Sequence, residues 1–253
     1  MIDINNLSVV FNQGTPLEKI VLNNFNLEVN DDDFICILGS NGAGKSTLFN
    51  SLLGKIQYGG NIYIDSKKID SLKDYKRAKD ISVVYQDPVR GTSPNLTVFE
   101  NILLANRNGI KNKKVYKEKV MNDLSKFEIG LETQLDKSTK HLSGGQRQVL
   151  SLYMATISNP KVLLLDEHTA ALDPKTEIKV MEITSSLVKE NHISTLMITH
   201  NLKTALDYGN RLIILNNGKV VLDIKGDEKK NMTESELLKT YSNSFSDVTL
   251  LNK

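Results

Sequence analysis

The chain reads as an α/β protein with a parallel-sheet core, a small antiparallel β subdomain and a helical subdomain. Three observations predict this. Phe34–Leu38, Val162–Leu165 and Ser194–Ile198 are short continuous apolar runs separated by helical stretches, the pattern of parallel strands buried on both faces. Residues 2–29 instead alternate apolar with polar, most plainly in Asn24-Phe25-Asn26-Leu27-Glu28-Val29, as antiparallel strands with one solvated face do. Residues 87–160 turn helical and interrupt the sheet pattern. The whole fits a single domain over residues 2–241 followed by a tail over 242–253.

The elements follow in order. Asp31-Asp32-Asp33 is a turn, after which Phe34–Leu38 feeds Gly39–Lys45 and a helix over Lys45–Leu53. Asn61–Asp65 and Ile81–Tyr85 are further strands. From Thr97 to about Phe127 the spacing is helical, with Ile102, Leu103 and Leu104 followed by Val115, Val120, Leu124 and Phe127. A helix over Gly144–Asn159 is stopped by Pro160, and another spans Lys175–Glu190. Asn216-Asn217-Gly218 joins Arg211–Leu215 to Lys219–Ile224 as a hairpin. Thr233-Glu234-Ser235-Glu236 is a capping box that opens a short helix to about Tyr241.

Composition narrows the function. With 253 residues, 40% of them hydrophobic and 25% charged, the chain can bury a sizeable core. A net charge of +2 gives no reason to expect nucleic acid as a partner. The single Cys36, inside an apolar strand, is expected to be a buried inert thiol, and one cysteine forms no disulfide framework, which suits a reducing cytoplasm. MIDINNLSVV lacks the basic start and apolar stretch of a signal peptide. The longest apolar runs, about five residues, fall far short of the ~20 that cross a bilayer.

Gly39-Ser40-Asn41-Gly42-Ala43-Gly44-Lys45-Ser46 matches G-x-x-x-x-G-K-[ST], with a buried strand before it and a helix after it. An ordinary Gly-rich turn is the bland alternative, and the strand–loop–helix context argues against it. The glycines let backbone N–H groups curl around phosphates at a helix N-terminus. Lys45 then reaches the β- and γ-phosphates of ATP, Ser46 ligates Mg²⁺ and Thr47 serves the α-phosphate. Asp166 ends the strand Val162–Leu165, and Glu167 follows it. Neighbours at a strand end point in different directions, so Asp166 can hold Mg²⁺ while Glu167 orients the attacking water. Ser143-Gly144-Gly145-Gln146 opens a helix whose free N–H groups and Ser143 hydroxyl form a second anion site.

Leu142-Ser143-Gly144-Gly145-Gln146 resembles the signature motif of the ABC ATPases. The resemblance spans roughly residues 2–241 and implies the ABC variant of the P-loop NTPase fold. It implies that the signature of one copy faces the γ-phosphate held by another, so a homodimer closes around two ATP. It further implies that Gln86 senses Mg²⁺ and the attacking water, that His200 contacts the γ-phosphate, and that Ala171-Leu172-Asp173 couples the two sites. By the same resemblance Phe11 is the aromatic platform under adenine, with a place in the core as its alternative.

Most family members carry Pro after the catalytic glutamate, whereas this chain has His168, for which a structural role is expected. The wording Asp166-Glu167-His168-Thr169-Ala170-Ala171-Leu172-Asp173-Pro174 resembles an importer subgroup associated with a lipid-anchored solute-binding protein and a permease of the branched-chain amino-acid type. Members of that subgroup are linked to aromatic amino acids. The implied place is the cytoplasmic side of the membrane. The permease is expected to dock in a recess bordered by Tyr85, Gln86, Asp87 and Asn95–Asn101, with Leu96, Val98 and Phe99 available for its apolar floor, although some of these must belong to the core. The lysines of Lys111–Lys119 read as a solvated helix face, with contact to anionic lipid as the alternative. Competing readings are an exporter subunit, a soluble ABC protein acting on ribosomes or DNA, and a scaffold without turnover. The last is disfavoured because Lys45, Ser46, Asp166, Glu167 and His200 are all present.

Overall fold

A computed structural model describes residues 1–250, with side chains to Ser242. Two compact units emerge: residues 1–81 together with the described residues from Ile193 on, and Ser82–His192. Of the tail expected over 242–253, the last three residues lie outside the described ones.

In chain order the first unit opens with β1 (Ile2–Phe11), β2 (Lys19–Val29), β3 (Phe34–Gly39), α1 (Lys45–Leu52), β4 (Gly59–Ile64), β5 (Lys67–Lys68) and α2 (Asp74–Arg77). The second holds β6 (Ile81–Val84), α3 (Val98–Ala105), α4 (Lys113–Ser125), α5 (Gly144–Thr156), β7 (Val162–Asp166) and α6 (Pro174–Glu190). The first unit then resumes with β8 (Ser194–Ile198), α7 (Leu202–Asp207), β9 (Arg211–Asn216), β10 (Lys219–Lys225), α8 (Gly226–Asn231) and α9 (Glu234–Leu250).

Both predicted sheet types are present. In the first unit the alternating strands form an antiparallel sheet in the order β2-β1-β4-β5. The continuous apolar strands line up as β9-β3-β8, with β3 parallel to both neighbours, and β10 adds an antiparallel edge strand beside β9. Every residue of β3, β8 and β9 is buried, which is why these segments carry no polar alternation. Truncating one of their Leu or Ile side chains to Ala removes roughly 2–5 kcal/mol. Cys36 is one of these residues: its Sγ donates to Tyr208 O at 3.0 Å, and burial pushes the thiol up to about 12. The inert thiol expected from the sequence is what is found. In the second unit β7 lies beside β6, and α5 packs on α3 and α6.

Three elements differ from the sequence expectation. The helical spacing over 97–127 is two helices. Asn106 Oδ1 takes the Asn108 N–H, Gly109 adopts φ 72°, and Asn112 caps a new start by accepting from Lys114 and Val115 N–H. Such side chains divert the backbone from helical bonding. The helix from Gly144 ends at Thr156, before Pro160, because Asn159 turns left-handed (φ 49°) and donates back to Thr156 O. The helix opened by the Thr233–Glu236 capping box, which forms with Thr233 N to Glu236 Oε2 at 2.9 Å, runs to Leu250 instead of ending near Tyr241.

The apolar floor proposed from the sequence is also corrected. Val98 and Phe99 are buried in the second unit's own core, where Phe99 stands 6.2 Å from the Tyr116 ring. Among Leu96, Val98 and Phe99 only Leu96 keeps partial exposure. The lysines of α4 form a solvated face: Lys117 pairs with Asp136 and Lys119 with Asp123, while Lys113 and Lys114 are exposed.

Candidate nucleotide site

The phosphate loop belongs to the first unit. β3 delivers Gly39 to the sheet's end, Gly42 and Gly44 turn left-handed at φ 85° and 105°, and α1 begins at Lys45. A Cβ on Gly44 would stand 2.9 Å from Leu22 Cδ2 of β2, so glycine answers both the dihedral and the contact. The loop is braced from behind by the β9–β10 turn: Gly218 N–H donates to Ala43 O at 2.9 Å. α1 begins without a side-chain cap, the kind of helix N-terminus that can take an anion. Lys45 is only 6% exposed, and its Nζ donates to Gly39 O and Ser40 O at 2.5 and 3.0 Å. The ammonium therefore already sits over the loop's mouth, while Ser46 is exposed beside it.

His200 and Phe11 belong to the same unit. Ile198 pairs with Ile37, and Thr199 N–H donates to Ile37 O at 3.2 Å, so His200 follows at the sheet end from which the loop leaves. Its side chain is exposed. Phe11 ends β1 opposite Lys19, and β2 places Leu22 against Gly44. At 39% exposure Phe11 is a surface ring, which removes the alternative that it fills the core.

The second unit gathers the remaining residues. Asp166 ends β7 half-buried, and Glu167 follows in a left-handed turn at φ 49°. Gln86 is exposed just after β6, the strand beside β7. Gln148 of α5 donates to Tyr85 O at 3.4 Å, and the Arg90 guanidinium lies 4.5 Å from the Tyr85 ring centre.

The signature turn starts α5. Ser143 Oγ accepts from Gln146 N–H and Gln146 Oε1 accepts from Ser143 N–H, both at 3.2 Å, a complete capping box. Ser143 and Gly144 remain exposed. Gly145 faces α6 so closely that a Cβ would overlap Thr176 Cγ2. Asp173 caps α6 through Thr176 N–H, and the hydrogen bonds from Thr176 hold its carboxyl below the usual range.

The fold is shared with known proteins. The family model described as ABC transporter matches residues 22–170. The chain belongs to the ABC transporter ATPases. It is 47% identical over 247 residues to a tyrosine transport ATP-binding protein of Clostridioides difficile strain R20291, covering 95% of this chain and 98% of the relative. An energy-coupling factor transporter ATP-binding protein of Clostridium perfringens strain 13 is 34% identical, over 88% of this chain and 79% of its own. Among solved structures, cbiO1 from Clostridium perfringens, part of the ABC transporter complex cbiONQ, superposes with a TM-score of 0.79 at 28% identity, covering 99% of this chain and 97% of that one. A dimeric ATP-binding cassette in a post-hydrolysis state, bound to ADP and Pi, gives 0.74 at 28%, covering 89% and 98%.

In this ABC ATPase the motif residues lie on the strand ends and helix starts that their spacing predicts, and the side chains that support them have no local sequence signal. Arg147 donates to Thr139 O, Lys140 O and Leu142 O, shaping the approach to the signature turn. Arg77, 3% exposed, donates to Ser51 O and Leu52 O at the end of α1. Gly218 was legible as a hairpin residue, yet nothing in its spacing reveals the bond to Ala43.

Proposed function

We propose that this chain is the ATP-hydrolysing subunit of an importer for an aromatic amino acid, working as a homodimer on the cytoplasmic face of a membrane permease fed by a solute-binding protein. The observation that carries this reading is the 47% identity, across nearly the full length of both chains, to a tyrosine transport ATP-binding protein. That no described helix is long and apolar enough to cross a membrane agrees with a separate permease.

Chemistry supports the roles. The N–H groups of Gly39–Thr47 and the Lys45 ammonium bind the phosphates. The Ser46 hydroxyl, Asp166 carboxylate and Gln86 amide oxygen are hard donors of the kind Mg²⁺ takes, and the ion would neutralise phosphate charge. Glu167 orients water and accepts its proton, and His200 donates to the γ-phosphate. Phe11 stacks under adenine. Ser143, Gly144, Gly145 and Gln146 meet the ATP of the second copy, and Asp173 couples the two sites.

The test is uptake. Vesicles containing this chain, its neighbouring permease and the solute-binding protein should accumulate labelled tyrosine or another aromatic amino acid when ATP is enclosed. A second reading rests on the energy-coupling factor relatives and on the superposition with cbiO1 over 99% of this chain. Under it, the same vesicles hydrolyse ATP without accumulating labelled aromatic amino acids.

A further inference from the structure

We propose that His168 is a positioning residue for Glu167, holding the turn that carries the carboxylate onto α6 through Thr184. The inference rests on Glu167 being the water-orienting group, as proposed above.

Glu167 adopts φ 49°, a left-handed conformation that is uncommon and strained for a residue with a Cβ. The turn closes through Ala170 N–H to Glu167 O at 3.0 Å, and an anchor on α6 fixes it further. The next side chain supplies that anchor. His168 is 2% exposed, and its Nε2 lies 3.2 Å from Thr184 Oγ1. Thr184 is fully buried, and its hydroxyl donates to Val180 O at 2.7 Å. That hydroxyl has one proton, already given away, so its oxygen accepts from His168 Nε2–H. The ring is thereby set as the Nε2–H tautomer. Burial also pushes the imidazole down to about 4, keeping it neutral over the ordinary pH range.

A second tie runs parallel to the first. Thr169 Oγ1 donates to Glu177 Oε1 at 3.5 Å, so the turn is attached to α6 at two places. α6 is a 17-residue helix seated on Val180, Met181, Ile183, Leu187 and Val188, a rigid base for such an attachment. Proline at position 168 would restrain the backbone through its ring. Histidine leaves φ free and must restrain it through its side chain. A water-orienting carboxylate displaced by an ångström loses its alignment while the phosphate loop, on other elements, is untouched.

ATPase kinetics of the full-length chain separate this role from plain packing. His168→Leu and Thr184→Val should each lower kcat about tenfold, with KM for ATP within twofold of the parent. Thr184→Ser, which keeps the hydroxyl, should recover the rate lost in Thr184→Val. On a Glu167→Gln background His168→Leu should cost nothing further, since the group it positions is gone. Thr184→Val keeps the test open where His168→Leu does not fold. Folded His168→Leu or Thr184→Val with parental kcat, or an additive loss on the Glu167→Gln background, would overturn the proposal. Failure of the underlying reading looks different: Glu167→Gln itself would then turn over at the parental rate.

Discussion

The two helix starts that we propose meet nucleotide phosphates are built in opposite ways. α1 has no side-chain cap; Gly44 at φ 105° leads straight into Lys45, and the loop before it is braced by Leu22 and by Gly218 N–H. α5 is capped by its own Ser143 and Gln146, with Ser143 and Gly144 exposed. An uncapped start keeps its N–H groups for a ligand and is incomplete without one, whereas a capped start is satisfied alone and adds a ligand at little structural cost. The difference is what the proposed roles require, with α1 holding the chain's own nucleotide and α5 meeting that of a second copy only on closure.

The largest expected effect separates binding from chemistry within this comparison. Glu167→Gln should leave ATP binding at α1 intact while slowing hydrolysis by roughly 10²–10⁴, the usual weight of a general base. A stable ATP-bound dimer should accumulate in gel filtration. Near-parental turnover would strip Glu167 of its role.

Ser143→Arg probes the capped start directly. ATP binding by the monomer should persist within a fewfold, measured with a fluorescent nucleotide, while turnover disappears. Mixing Ser143→Arg with Lys45→Ala chains should restore partial activity, because a mixed dimer has one site with both halves intact. No recovery on mixing, or loss of monomeric ATP binding, breaks the division between the two starts.

A third prediction concerns acid stability of the second unit. His168 titrates near 4 in the fold against 6.5 ordinarily. As pH falls below 6.5 the unfolded chain takes up a proton that the folded chain refuses, so stability declines through that window and levels off below about 4. The full contribution is about 3 kcal/mol. The unfolding free energy of His168→Gln should lose that much less than the parent's between pH 7 and 4. Parallel curves for the two chains would contradict the neutral buried ring.

The smallest effect sharpens the α1 side. Phe11→Ala should weaken ATP binding by roughly 1–3 kcal/mol on the scale of aromatic–base stacking, with little discrimination between ATP and GTP. Unchanged affinity by calorimetry would move the platform to another side chain.

Much of this was legible beforehand for a physical reason. Buried parallel strands must be apolar throughout, so Phe34–Leu38, Val162–Leu165 and Ser194–Ile198 announced themselves. The phosphate loop was legible because its conformation is local: glycines at 42 and 44 meet positive φ wherever the chain runs. The recess floor was not, since Val98 and Phe99 have the same spacing whether they face a partner or their own core. The break at 106–112 was missed because apolar periodicity outlasts the helix it describes, and only the Asn106 and Asn112 side-chain bonds mark the gap.

The sequence by itself determined the fold class, the loop and the identity of the chemical groups, all of which depend on spacing of a few residues. Tertiary structure alone decided what supports them. Gly145 leaves the room that Thr176 Cγ2 of a later helix occupies. Gly218 reaches back to Ala43, and His168 finds Thr184 across 16 positions. Such contacts depend on how distant segments pack, and no local pattern carries that information.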